Sequence, residues 1–126
     1  MGLPIPQISR NLWFFRTVKT VPYRAVKEKL NMKHHILAKF NDSVEDKYAL
    51  ILEIQKLFAA GEDIDGVDEY TVIPNCVDRP NRYDVMIVIE MDYDALPNWD
   101  DSKLHRDWKD KFGGYLEKKA IFDSEE

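Results

Sequence analysis

Cysteine is nearly absent from this chain, since Cys76 is the only one among 126 residues. An internal disulfide is therefore impossible, and a lone thiol fits a reducing compartment, so we expect a cytoplasmic protein. Long apolar runs are missing too: no stretch approaches the roughly 20 residues that a membrane-spanning helix needs. The apolar run at 12–15 is too short for the apolar region of a signal peptide. We therefore expect no membrane partner.

Sequence motifs that mark common enzyme classes are missing as well. The five glycines form no phosphate-binding loop, and the chain contains no nucleophile elbow and no Cys-x-x-Cys pair. Its three histidines do not fall into a spaced ligand cluster, so we expect neither a metal ion nor another cofactor. Cys76 has no histidine or basic cluster beside it to favour a thiolate, and we interpret it as incidental.

Charge is unevenly distributed along the chain, whose net charge is −5. Residues 1–31 hold six basic residues and one glutamate, a net charge of +5, whereas residues 32–126 hold 12 basic and 22 acidic residues, a net charge of −10. An acidic body repels phosphate backbones, which argues against nucleic acid as a partner. We interpret 1–31 as a basic N-terminal extension that docks on its own acidic body, on a second subunit or on an anionic partner. The alternative is that Met32 is the natural start of the protein.

Residues 32–126 are predicted to form a single domain that opens with a strand at 32–40. Alternation along this strand predicts that four side chains share one face: His34, Ile36, Ala38 and Phe40. Further strands are predicted at about 69–74, at 84–91 and around 120–122. These strands are predicted to form the sheet on which two helices pack.

Both helices are indicated by apolar residues at helical spacing. The first is predicted to begin at a capping box formed by Ser43 and Asp46 and to bury a stripe that includes Tyr48. The second is predicted to begin near Ser102 and to bury a stripe that includes Trp108. The resulting order is strand, helix, strand, strand, helix, strand. It predicts an α+β fold of the ferredoxin-like βαββαβ type with a four-stranded antiparallel sheet.

The strand at 84–91 carries apolar side chains on both faces. Val85, Ile87 and Ile89 point one way, and Met86 and Val88 point the other. A strand that is apolar on both faces needs cover on both. Because two helices can cover only one face of a small sheet, we predict that a second copy of the chain covers the other and that the protein is a homodimer.

At this level the chain resembles the stress-responsive A/B barrel family, whose members are called Dabb domains. The resemblance runs from about residue 32 to residue 123. It rests on four segments: 32–40 resembles the opening strand with its histidine at His34, 65–67 the "PGV" turn, 102–108 the "HPxHxxF" motif, and 121–123 the closing strand.

The resemblance implies a homodimer in which two sheets face each other to form an α+β barrel with the helices outside. It also implies a small apolar pocket between sheet and helices, lined by two histidines that fall here on His34 and His105. Where relatives with a known cyclase activity have a tyrosine, this chain has Trp99, which we predict to lie in a loop and to border the pocket mouth. The predicted pocket residues are Ile36, Phe40, Trp99 and Trp108.

Three functions remain open from the sequence. The first is a small-molecule-binding stress protein with no assigned reaction. The second is a cofactor-independent lyase or cyclase, in which His105 removes a proton from a carbonyl substrate and His34 holds the carbonyl or enolate oxygen. The third is a non-catalytic assembly module, in which the basic segment 1–31 recruits a partner. The structural alternative for the candidate residues is that His34 is a hydrogen-bonded histidine at the edge of the core, that His105 lies at the boundary of a helix, and that Trp108 and Tyr48 are plain core.

Overall fold

The computed structural model describes residues 31–125. Four strands and three helices follow one another in this range: β1 (Asn31–Phe40), α1 (Lys47–Ala59), β2 (Val67–Pro74), β3 (Val85–Asp92), the short α2 (Leu96–Asp100), α3 (Lys103–Phe112) and β4 (Leu116–Ser124). One turn of 3-10 helix, Gly113–Tyr115, joins α3 to β4. The predicted βαββαβ order is confirmed, with α2 as an addition. The predicted extension at 1–31 lies, but for its last residue, outside the described residues and stays a prediction.

The strands form one antiparallel sheet in the order β2-β3-β1-β4. The first strand is therefore central, with β3 on one side and β4 on the other. Its pairing with β4 brings Lys33 opposite Ser124 and His34 opposite Asp123. This is the predicted ferredoxin-like arrangement.

The hydrophobic core lies between one face of the sheet and the helices, and we call this face of the sheet the covered face. The covered face of β1 contributes Ile36, Ala38 and Phe40, as predicted from alternation, and each is at most 4% exposed. Helices α1 and α3 contribute six buried side chains: Ile51, Ile54, Phe58, Leu104, Trp108 and Phe112. The sequence thus indicated most of the core through strand and helix periodicity.

Two predictions for α1 are wrong, and both concern its first turn. The helix begins at Lys47, where the Asp46 carboxylate accepts the backbone N–H of Ala49 at 3.1 Å, while Ser43 belongs to a turn and bonds Asn41. Tyr48 is 68% exposed. At 100° per residue it lies about 120° around the helix axis from Ile54, which is fully buried, so it points away from the sheet.

The opposite face of the sheet, which we call the outer face, carries the alternate side chains of each strand. Met86 and Val88 lie on this face of β3, and cross-strand pairing sets Leu37 and Ile73 beside Met86. None of these side chains belongs to the core cluster that contains the buried helix residues. Phe122 lies on the same face of β4 and is 64% exposed. The middle of the outer face is therefore apolar, with charged residues such as Lys33, Glu90 and Lys39 towards its ends, and no helix of residues 31–125 packs on it.

Candidate functional site

His34 lies on the covered face of β1, is 6% exposed, and pairs with a carboxylate from the neighbouring strand. Its Nδ1 atom lies 2.5 Å from Oδ1 of Asp123 on β4. The sequence did not single out Asp123, because the pairing of β1 with β4 has to be known in register before the two residues can be matched. An imidazole that is hydrogen-bonded to a carboxylate has a defined ring orientation.

His105 lies in the first turn of α3 and is half-buried. Its backbone N–H donates to the hydroxyl oxygen of Ser102 at 3.0 Å, so the predicted cap at Ser102 is confirmed. Its Nδ1 lies 2.9 Å from the backbone carbonyl oxygen of Asp100. A carbonyl can only accept, so Nδ1 carries the hydrogen, and Nε2 of the neutral ring is left as the proton acceptor.

Trp99 contacts both histidines. Its ring centroid lies 6.4 Å from that of His34 and 4.8 Å from that of His105. The expectation that Trp99 lies in a loop and borders a pocket mouth is wrong, since it belongs to α2 and is fully buried. Pro97 near the start of α2 favours this short helix, because its fixed φ suits a first turn. The structure thus brings the two histidines and Trp99 together, with the indole ring packed against both imidazoles.

The other predicted pocket residues are packed in the core. Ile36, Phe40 and Trp108 are between 1% and 4% exposed and belong to the same hydrophobic cluster. Phe58 lies beside both Trp99 and Trp108, with ring centroids 6.1 and 6.0 Å away. Four clefts are formed by the described residues, and none of the predicted pocket residues lines any of them. A pocket bounded by His34, His105 and these residues therefore stays a prediction, and a ligand there requires Trp99 to move.

Tyr70, on the covered face of β2, is a polar residue that no sequence pattern singles out. Its hydroxyl is buried and has no hydrogen-bond partner among residues 31–125. Burial raises the pKa of Tyr70 above its ordinary value of 10.0, and the carboxylates of Glu62 and Asp63 raise this pKa further. A hydroxyl buried without a partner costs free energy, so Tyr70 marks a locally unfavourable point of the core.

No group of three or more His, Cys, Asp or Glu side chains within residues 31–125 is arranged to hold a metal ion. None of the helices in this range is long and apolar enough to cross a membrane.

These features define a ferredoxin-like α+β protein with one covered and one apolar outer sheet face. Solved structures that share the fold include a dimeric ferredoxin-like protein of unknown function from Thermobifida fusca, at 19% identity and a TM-score of 0.64, with 84% of this chain and 100% of that chain covered. A dimeric protein of unknown function and ferredoxin-like fold from Bacteroides fragilis is 20% identical, with 76% of this chain and 96% of that chain covered and a TM-score of 0.64. A Dabb family protein with a ferredoxin-like fold from Mesorhizobium loti is 16% identical, with 75% and 94% covered and a TM-score of 0.58.

The sequence comparisons, unlike the structure comparison, identify no related protein. No protein-family model matches the chain, and a search of curated proteins found no match. The predicted resemblance to Dabb domains is therefore confirmed as a likeness of fold, and the activity of the chain does not follow from it.

Proposed function

We propose that the chain is a homodimeric α+β-barrel protein of the stress-responsive type, which binds a small molecule and has no assigned reaction. The observation that carries the dimer is the apolar outer face, where Met86, Val88 and Phe122 lie without helical cover. Burying such a face against a second copy removes apolar area from water at about 25 cal/mol per Å². Two of the structural neighbours are described as dimeric, which supports the same assembly.

The dimer is tested by light scattering on the full chain and on two matched variants. Phe122→Lys places a charge on the outer face, and Leu52→Lys places the same charge on the outer surface of α1, where Leu52 is 45% exposed. The expected result is a dimer for the wild type and for Leu52→Lys, and a folded monomer for Phe122→Lys. A wild-type monomer at about 100 µM, a concentration far above the Kd of a stable homodimer, would overturn the proposal.

Small-molecule binding is proposed at the predicted pocket, next to the side chains of His34, Trp99 and His105. The contacts of Trp99 with both imidazoles support this site, because displacement of one indole ring opens space between two polar groups. The three histidines allow a test by NMR of the imidazole rings with acetophenone as an aromatic carbonyl probe. Resonances of His34 and His105 should shift on titration, while those of His35, which lies on the outer face, serve as an internal control. Equal shifts of all three rings, or none, would contradict the site.

A second candidate is the cofactor-independent lyase or cyclase. Its support is the hydrogen bonding of the two rings. Nδ1–H of His105 donates to the Asp100 carbonyl oxygen, which leaves Nε2 able to accept a proton. The Asp123 carboxylate fixes the orientation of the His34 ring, which is proposed to hold the carbonyl or enolate oxygen. The reaction class is proton abstraction next to a carbonyl.

Proton abstraction is measured as exchange of the methyl hydrogens of acetophenone for deuterium in D₂O. The enzyme hypothesis expects exchange above the buffer rate that falls at least about 100-fold in His105→Gln, with His35→Gln as a matched control. Exchange at the buffer rate with the wild type would favour the non-catalytic alternatives, including the assembly module, which the filled core around Trp99 also supports.

A further inference from the structure

A second cleft lies away from the predicted pocket, at one end of the outer face. It is formed between the sheet and the segment 75–84 that joins β2 to β3, and its volume is about 360 Å³. Pockets for small molecules typically measure about 300–1,000 Å³. Its apolar lining includes Leu37, Ile73 and Met86, and its polar lining includes Cys76, Arg82 and Tyr83.

The segment that borders this cleft is fastened to the sheet. The ammonium group of Lys39 donates to the carbonyl oxygens of Pro80, at 3.0 Å, and of Arg82, at 3.1 Å. The backbone N–H of Asn75 donates to the carbonyl oxygen of Asp84 at 2.9 Å, which closes the segment at its base. The walls of the cleft are therefore held in place by hydrogen bonds before any ligand binds.

Charge around the cleft is positive, although the chain as a whole carries −5. Arg82 is the only charged side chain in the lining. The Lys39 ammonium binds the carbonyl oxygen of Arg82 in this segment, and the ammonium of Lys118 lies 5.4 Å from the ring centroid of Tyr83. The carboxylate of Asp84 is already engaged, by the backbone N–H of Phe40 and by the Lys47 ammonium.

We propose that this cleft binds a small amphipathic carboxylate, with its alkyl or aryl body on Leu37 and Met86 and its carboxylate on the Arg82 guanidinium. A guanidinium matches a carboxylate through two parallel hydrogen bonds, which a neutral head group cannot accept in the same way. The site is distinct from the one at His34 because alternation places Leu37 and His34 on opposite faces of β1. It goes beyond the proposed function, and it does not require the His34 site to bind anything. Leu37 and Met86 also lie on the outer face, so a second copy that covers this end of the face would compete with the carboxylate for the cleft.

Cys76 makes occupancy of this cleft measurable, because it is exposed, lines the cleft and is the only cysteine of the whole chain. The rate at which iodoacetamide alkylates the full chain therefore reports on this position alone. Decanoate is the carboxylate probe, and 1-decanol is the control with the same apolar body. Decanoate should slow alkylation saturably and should bind at least about tenfold more tightly than decanol, in line with the loss of a charged hydrogen-bonding partner.

Two variants identify the residue that binds the carboxylate. Arg82→Gln should weaken protection by decanoate about tenfold or more, whereas Arg79→Gln removes the same charge from the same segment outside the lining and should leave it unchanged. Absence of protection, equal protection by decanol, or equal loss in both variants would overturn the proposal. Protection that needs no ligand and grows with protein concentration would also overturn it, by assigning the cleft to a second copy of the chain. Because a second copy would compete for this cleft, alkylation is measured at a protein concentration where light scattering finds monomer, and the dimer is tested separately.

Discussion

The two faces of the sheet differ in how far the side chains of the same strands are buried. On the covered face of β3, Val85, Ile87, Ile89 and Met91 are at most 2% exposed, and the helices pack against them. On the outer face the middle of the sheet is also apolar, and exposure there ranges from 9% at Val88 to 64% at Phe122. The covered face of β3 is thus completed by its own chain, and the outer face is not. The contrast predicts that truncations on the covered side reduce the free energy of unfolding, and that truncations on the outer face act mainly on assembly.

The largest loss of stability is expected for Trp99→Ala. Trp99 is fully buried and contacts Phe58 and both histidines, so truncation leaves a large cavity. Such a change typically costs about 3–5 kcal/mol in the free energy of unfolding. Urea denaturation measures the loss, with Leu52→Ala on the exposed side of α1 as a control. A loss below about 1 kcal/mol would mean that the covered face is less tightly packed than the contrast requires.

A smaller loss is expected for Asp123→Ala. The substitution leaves His34, which is 6% exposed, without its carboxylate partner. An unpaired buried polar group costs about 1–3 kcal/mol. The same denaturation assay applies, and Asp110→Ala on the exposed side of α3 is the matched control. If His34→Leu combined with Asp123→Ala is no more stable than Asp123→Ala alone, the loss does not arise from the pair.

Tyr70→Phe tests the covered face in the opposite direction, because it should increase the free energy of unfolding. It removes a buried hydroxyl that has no partner among the described residues, and we expect a gain of about 1 kcal/mol near neutral pH. The raised pKa of Tyr70 makes this residue's contribution fully present below pH 10.0, and the contribution is lost as the pH rises through the folded-state pKa. The variant should therefore lose less stability in alkali than the wild type. Tyr93→Phe, at an exposed position, is the control.

The smallest effect on unfolding is expected for Phe122→Ala on the outer face. Exposed substitutions usually change the free energy of unfolding by no more than about 0.5 kcal/mol. Denaturation at a protein concentration where light scattering finds monomer measures this value. A loss similar to that of Trp99→Ala would remove the contrast between the two faces.

Strand alternation made most of the fold predictable from the sequence. The faces of β1 and β3 follow from a period of two, and the buried stripes of α1 and α3 follow from a period of 3.6. The failures have local causes. Ser43 and Asp46 are both acceptable caps, so the sequence did not fix the first turn of α1, and Tyr48 was assigned to the wrong side. Trp99 was assigned to a loop because a helix of five residues leaves no periodic signal.

The candidate site was less predictable than the fold. His34 and His105 were found through the resemblance, and both lie against Trp99. Asp123 and Tyr70 were missed because their roles depend on register and burial, which one sequence does not display. The cleft beside Arg82 was missed for the same reason, since it combines a segment after β2 with residues of β1 and β3.

The pairing of Lys33 with Ser124 has a consequence for engineering. The chain enters the domain through its central strand and leaves through the adjacent one, so the two points of attachment are neighbours in space. A host protein can therefore receive the domain within one surface loop without its own flanking segments being pulled apart. The same proximity makes a circular permutant feasible, with a short linker joining the ends of β4 and β1 and new termini opened between the exposed residues 62 and 63 of the loop that joins α1 to β2.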